Sequence, residues 1–351
     1  MKRIFYLLII LIIFFSLLLI IIPLFSNSEV IILNTQESAP LIIGGKQYRE
    51  YTIDDAEAIQ HVLFYLDPHD QDKMNSLENI EILTNLNRLI IEGKNLDSVD
   101  FNPILTLVNL ERLRIEGNIS IPINLTNLEK LTSITIKYST LETLEGLGAP
   151  NLKRLEIEME TFDSLAPLSN LTELERLDVY ARRIGSRTSI GNIKNVPKLE
   201  SLRLGTRGEL DLNGIENIVN IIELRLDGTE TILINPNSIS KLQNLEVLIL
   251  SLPDENPSIE YLGNLNKLRS LFIDSSYLFK RPPVFPYQAL DVSPLRNNQN
   301  LFQLDIRGFI VRNISSLNNL NLEHNTIRLY DSRLFNENDV SVHYLAYVPK
   351  E

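Results

Sequence analysis

Arginine stands at positions 88, 112, 154 and 176, and glutamate follows four residues later at 92, 116 and 158, with Tyr180 completing the set. Such residues, repeated at steps of a little over twenty, do not perform acid–base or nucleophilic chemistry. They can line two rows of opposite charge that select a partner electrostatically. The four histidines, His61, His69, His324 and His343, have no metal-ligand spacing. There is no cysteine, no glycine-rich phosphate loop and no Gly-x-Ser-x-Gly elbow. The acidic stretch Asp67-Pro-His-Asp70-Gln-Asp72 lacks the turn glycine and ligand offsets of a calcium loop. The sequence therefore predicts a non-catalytic protein with no metal and no small-molecule cofactor. An enzyme with its site in a terminal cap is the remote alternative.

A second set of candidates lies further along. Val247, Ile249 and Phe272 stand at positions where other copies of the same pattern carry charge. Adjacent exposed apolar groups lower solubility unless something covers them. Arg203 and Arg225 flank this cluster. Downstream, residues 277–287 hold three prolines and four aromatics, Tyr277, Phe279, Phe285 and Tyr287. Prolines reduce the ordering entropy that binding must overcome, so the segment reads as a recognition loop. The alternative is a loop folded down over the apolar cluster.

These residues are placed by a phrase that recurs through the chain. Apolar residues at 0, +3 and +5 begin at Leu86, Leu110, Leu131, Leu152, Leu174, Leu199, Ile221, Leu245, Leu268 and Leu301, in steps of 24, 21, 21, 22, 25, 22, 24, 23 and 33. The +3 and +5 residues, such as Leu177 and Val179, alternate as a short strand requires. A degenerate eleventh copy has His324 first, then Ile327 and Leu329. With 0, +3 and +5 inward, positions +2, +4 and +6 face outward from one sheet. The arginines fall at +2 and the glutamates at +6. Arg203, Arg225, Ile249 and Phe272 fall at +4.

This phrase resembles the leucine-rich-repeat family in its class of about 22 residues, and most nearly the bacterial internalin-like proteins. The resemblance spans roughly residues 80–334. It implies an α/β repeat solenoid, curved like a horseshoe, with a parallel β-sheet on the concave face and irregular or 3-10 segments on the convex face. It also implies a protein ligand. The family usually carries asparagine at +8, where the side chain bonds to turn backbone. Here only Asn118 fits, so the turns must be satisfied in another way.

Outside the repeats, Met1-Lys2-Arg3 precedes an apolar run over residues 4–25, long enough as a helix to cross a bilayer core of about 30 Å. The basic residues should remain cytoplasmic, leaving the rest extracytoplasmic. The segment reads as a retained single-pass anchor, with secretion after cleavage near Ser28 as the alternative. The expected organisation is a signal-anchor or signal peptide over 1–28, a spacer and N-terminal cap over 29–79, the solenoid over 80–334 and a C-terminal cap over 335–351. Within the cap, Leu41-Ile42-Ile43 and Gln47-Tyr48 suggest a hairpin around Gly44-Gly45. Thr52 with Asp55 could open a helix burying Ile59, Val62, Leu63 and Leu66, whereas Ile59, Val62 and Phe64 could instead form a first degenerate strand. No Leu-Pro-x-Thr-Gly signal follows residue 334, which shifts the expected anchoring to the N-terminus. A net charge of −12 and a pI near 5.0 argue against a general nucleic-acid binder. The functional expectation is adhesion or recognition. A scaffold or regulatory subunit of a membrane-envelope complex is the alternative.

Overall fold

The computed structural model describes residues 31–32, 41–43, 46–48, 56–67, 76–120, 123–228, 231–252, 257–275, 288–320, 326–330, 333–334 and 345–347. One parallel sheet of fifteen strands runs through them. Its strands follow one another in chain order, each hydrogen-bonded to the next copy of the phrase. Arg88–Gly93 pairs with Arg112–Glu116, that strand with Ser133–Lys137, and so on to Gln303–Arg307, Thr326–Tyr330 and Leu345–Tyr347. Register is exact by position: Leu89 lies beside Leu113, Leu113 beside Ile134, and Leu224 beside Leu248. A slip by one residue would turn every leucine outward, which burial of one face forbids.

The leucines form a single continuous core. Leu113, Leu177 and Leu248 are each no more than 2% exposed, and the same cluster extends from Ile43 to Leu329. The repeat's return path is built of short 3-10 helices such as Ile80–Ile82, Asn102–Thr106, Ile215–Asn217 and Pro236–Lys241. Several are entered through an asparagine in the left-handed conformation, as at Asn79, Asn95, Asn235 and Asn313. Asparagine tolerates that backbone region better than other non-glycine residues. Gly214 has the same task at φ +97, with Gly191 pressed against it.

A second periodicity ties the coils together. Asn85, Asn109, Asn151, Asn220, Asn244 and Asn300, each just before the first leucine of a copy, donate from Nδ2 to a backbone carbonyl of the preceding coil at 2.7–3.0 Å. Where lysine replaces asparagine, its Nζ reaches the side chain one coil back: Lys130 to Asn109, Lys198 to Glu173 and Lys267 to Asn244. The expected asparagine position at +8 contributes only Asn118, whose Oδ1 accepts from Leu96 N and whose Nδ2 donates to Asp97. Elsewhere buried hydroxyls serve the turns. Ser139 Oγ donates to Glu158 O, and Thr231 Oγ1 donates to Thr206 O while accepting from Thr206 N. Ser186 and Thr206 share a further hydrogen bond at 2.8 Å.

Two departures from the sequence reading concern elements. The stretch after Ile59 is a strand, His61–Leu66, not a capping helix, and it pairs in register with Arg88–Gly93. Val62, Phe64 and Leu66 alternate into the core, and the open edge of the neighbouring strand supplies the hydrogen bonds a helix would have made internally. The sheet thus continues before residue 80, where Ile31–Ile32 adds a further strand. The strands Arg176–Ser189 and Ser201–Asp211 run well past the expected length, and Ile232–Ile234 joins the extension. Among the described residues the return path is built of 3-10 helices, as the resemblance implied. The hairpin of Leu41–Ile43 with Lys46–Tyr48 is present and antiparallel.

Candidate protein-binding face

Outward positions +2 and +4 form continuous rows through the repeats, whereas +6 is paired over only part of them. Along +2, Arg88 neighbours Arg112, and Arg154 neighbours Arg176; along +6, Glu92 neighbours Glu116. Along +4, Glu156 neighbours Asp178 and Arg203 neighbours Arg225. Strands about 4.8 Å apart bring these like charges side by side, which opposes sheet formation.

Compensation comes chiefly through the middle row. Positions +2 and +6 lie about 13 Å apart along a strand, too far to pair, whereas +4 reaches either. Arg114 pairs with Glu116, and Arg176 directs Nε and NH2 to Asp178 Oδ2 at 3.0 and 2.9 Å. Arg225 meets Glu223 at 2.6 Å, and Arg203 forks onto Asp227 at 3.0 and 2.9 Å. That fork, ahead of opposing burial, holds the Arg203 guanidinium above its ordinary pKa. Lys137 meets Glu156 at 3.1 Å. Arg88, Arg112 and Arg154 have no ion-pair partner among the described residues.

The apolar positions are placed more simply. Val247 and Ile249 lie on one strand, and Phe272 is the register partner of Ile249. All three are half-buried. Ile249 and Phe272 join Asp274, Asp305 and Arg307 in lining a cavity of about 190 Å³. Burial is the first cause that raises the Asp274 and Asp305 carboxyls above the usual range, with Arg307 opposing it at both. Asp305 Oδ1 is buried with no hydrogen-bond partner, although Arg328 stands 3.8 Å from the other oxygen. Tyr277, Phe279, Phe285 and Tyr287 lie outside the described residues, as does the expected segment over residues 4–25.

A larger cavity, of about 350 Å³, opens near the middle of the sheet between Tyr138 and Tyr180. Sequence reasoning placed Tyr180 on this face but missed the cavity. Its cause is Gly205, the +6 residue beside Tyr180. A Cβ there would fall 2.4 Å from Tyr180 Cδ2 and 2.8 Å from Asp227 O. The missing side chain lets the tyrosine ring lie against backbone and leaves a gap in the row. The only sequence signal was a glycine where other copies carry polar or charged side chains.

Among the described residues no group of three His, Cys, Asp or Glu side chains could hold a metal ion, and no helix is long and apolar enough to cross a membrane.

No family model matches the sequence, and no curated protein is matched by it. Solved structures do match. An internalin from Listeria monocytogenes aligns over 86% of this chain and 90% of its own at 19% identity, with a TM-score of 0.51. A TDR receptor aligns over 80% of this chain at 17% identity with a TM-score of 0.53, and this chain spans about half of that receptor, 49%. At these identities the likeness concerns the fold, which is that of a leucine-rich-repeat solenoid.

Proposed function

We propose that this leucine-rich-repeat chain is a non-catalytic, extracytoplasmic protein that binds another protein through its sheet face, in adhesion or recognition. The observation carrying this reading is the uncompensated stacking of like charges on that face, Arg88 beside Arg112 with neither ion-paired among the described residues. A row that opposes its own sheet is relieved when a partner brings the opposite charge. Half-buried Ile249 and Phe272 supply an apolar anchor further along, of the kind that dominates interface energetics. Residues 277–287 follow this anchor directly in the chain and are proposed to take part in recognising the partner. The similarity to internalins supports a binding role. The apolar run over residues 4–25 is proposed as a membrane anchor, which makes a scaffold within an envelope complex the second reading.

The test is capture of a partner from the membrane-envelope fraction, followed by measurement of that partner's affinity for variants. Phe272→Ala and Ile249→Ala should each weaken binding about tenfold, in the range of a moderate hot spot. Val108→Ala, at an exposed valine away from the sheet face, should bind like the parent. Unchanged affinity in both sheet-face variants rejects the anchor assignment.

A further inference from the structure

The cavity between Tyr138 and Tyr180 carries more information than a gap in a sheet. Its wall holds three carboxylates, Glu156, Glu158 and Asp178, against two cations, Lys137 and Arg203. Both cations are already engaged, Lys137 by Glu156 and Arg203 by Asp227, which stands outside the wall. Asp178 uses Oδ2 for Arg176, while its Oδ1 is buried with no hydrogen-bond partner. An acceptor in that state costs stability until a donor reaches it. Two phenol rings stand at the same opening, Tyr180 against the backbone of Gly205 and Tyr138 half-exposed at φ +60, a backbone conformation unfavourable for a tyrosine.

We propose that this cavity receives one arginine side chain of the bound protein. A planar guanidinium can stack on a tyrosine while donating to a carboxylate oxygen, a combination a lysine ammonium matches less well. The Asp178 carboxylate is the acceptor, Tyr180 the stacking surface and Gly205 the residue whose lack of a side chain provides the room. An anionic side chain would meet three carboxylates, Glu156, Glu158 and Asp178, which already engage Lys137, Arg182 and Arg176. The inference rests on the protein-binding reading above and names the chemistry of the partner at this one position.

The test uses the full-length chain in detergent. It has no tryptophan, so Tyr138→Trp places a single emission centre at the cavity mouth. The probes are acetyl-Gly-Arg-Gly-amide, the same peptide with citrulline, and the same peptide with glutamate. Arginine peptide should change the emission saturably, at least tenfold more tightly than the uncharged citrulline peptide, with no response to glutamate. Adding Tyr180→Ala or Asp178→Asn should weaken the arginine response fivefold or more, with the melting curve recorded for each variant. Equal binding of arginine and citrulline, tighter binding of glutamate, or full affinity in the folded variants overturns the proposal. Partner capture is scored separately. Capture without arginine selectivity overturns the cavity assignment alone, whereas arginine selectivity without capture upholds it and overturns the protein-binding reading.

Discussion

Asn151 holds one coil to the next through a single amide hydrogen bond, 2.7 Å from its Nδ2 to Glu129 O. Replacing it with alanine removes the donor and leaves the carbonyl to water. A destabilisation of about 1 kcal/mol is expected, read from urea unfolding. Asp274 presents the opposite case, a residue whose charge works against the fold. Burial, its leading influence, raises its pKa in the folded state above the ordinary aspartate value. The folded protein then binds the proton more readily than the unfolded chain, so this group's contribution falls as pH rises through the folded pKa and is neutral below the unfolded one. Asp274→Asn should therefore melt higher than the parent at pH 7, with the difference shrinking as the pH is lowered toward 4. A constant difference across that range would show that titration of this carboxyl is not the cause. At this scale the outward residues were legible from the repeat phrase, since the +2 and +4 rows reappear throughout the register and the +6 row in part. The room beside Tyr180 was not, because it depends on what Gly205 lacks and on how a ring packs against it.

The strands were legible wherever leucine and isoleucine alternate at +3 and +5. They were misread where other patterns overlay them. Ile59, Val62, Leu63 and Leu66 have helical spacing and also contain the 0 and +3 members of a repeat, and only the neighbouring strand's open edge decides for His61–Leu66. The extension through Arg182, Arg183, Gly185, Ser186 and Arg187 has no leucine alternation, yet it is a strand because Ser201–Asp211 lies alongside it. Its partners are ionic: Arg183 meets Glu142 and Glu160, and Arg187 meets Glu209 at 2.9 Å. The joints between coils depend on backbone more than on side chains. Gly214, at φ +97, has Gly191 O only 1.9 Å from where a Cβ would stand. Gly214→Ala should cost about 2 kcal/mol or more and broaden unfolding near the strands Ser201–Asp211 and Glu223–Leu226, seen as faster amide exchange there. Uniform loss of protection along the whole solenoid would contradict a local joint.

For the whole molecule, the repeat architecture makes stability a sum over coils and their contacts. The span of the solenoid was legible from ten copies of one phrase, although the sheet exceeds the expected start by the strands Ile31–Ile32 and His61–Leu66. The membrane relation belongs to this scale as well. If residues 4–25 anchor the chain, the mature protein from fractionated cells should retain Met1 and sediment with membranes. A mature N-terminus near Ser28 in the soluble fraction would instead support release.

At six junctions the amide ladder from Asn85 to Asn300 links a turn of the chain to its predecessor through a carbonyl two residues before the predecessor's first apolar position. Donor and acceptor recur at these junctions in the same relation, and Lys130, Lys198 and Lys267 stand in for the amide at three others. A segment of one full period, such as 110–130, could be excised or duplicated and the new seam would meet the chemistry the old one had. Reach along a partner's surface can change by whole increments, without any new fastening having to be invented.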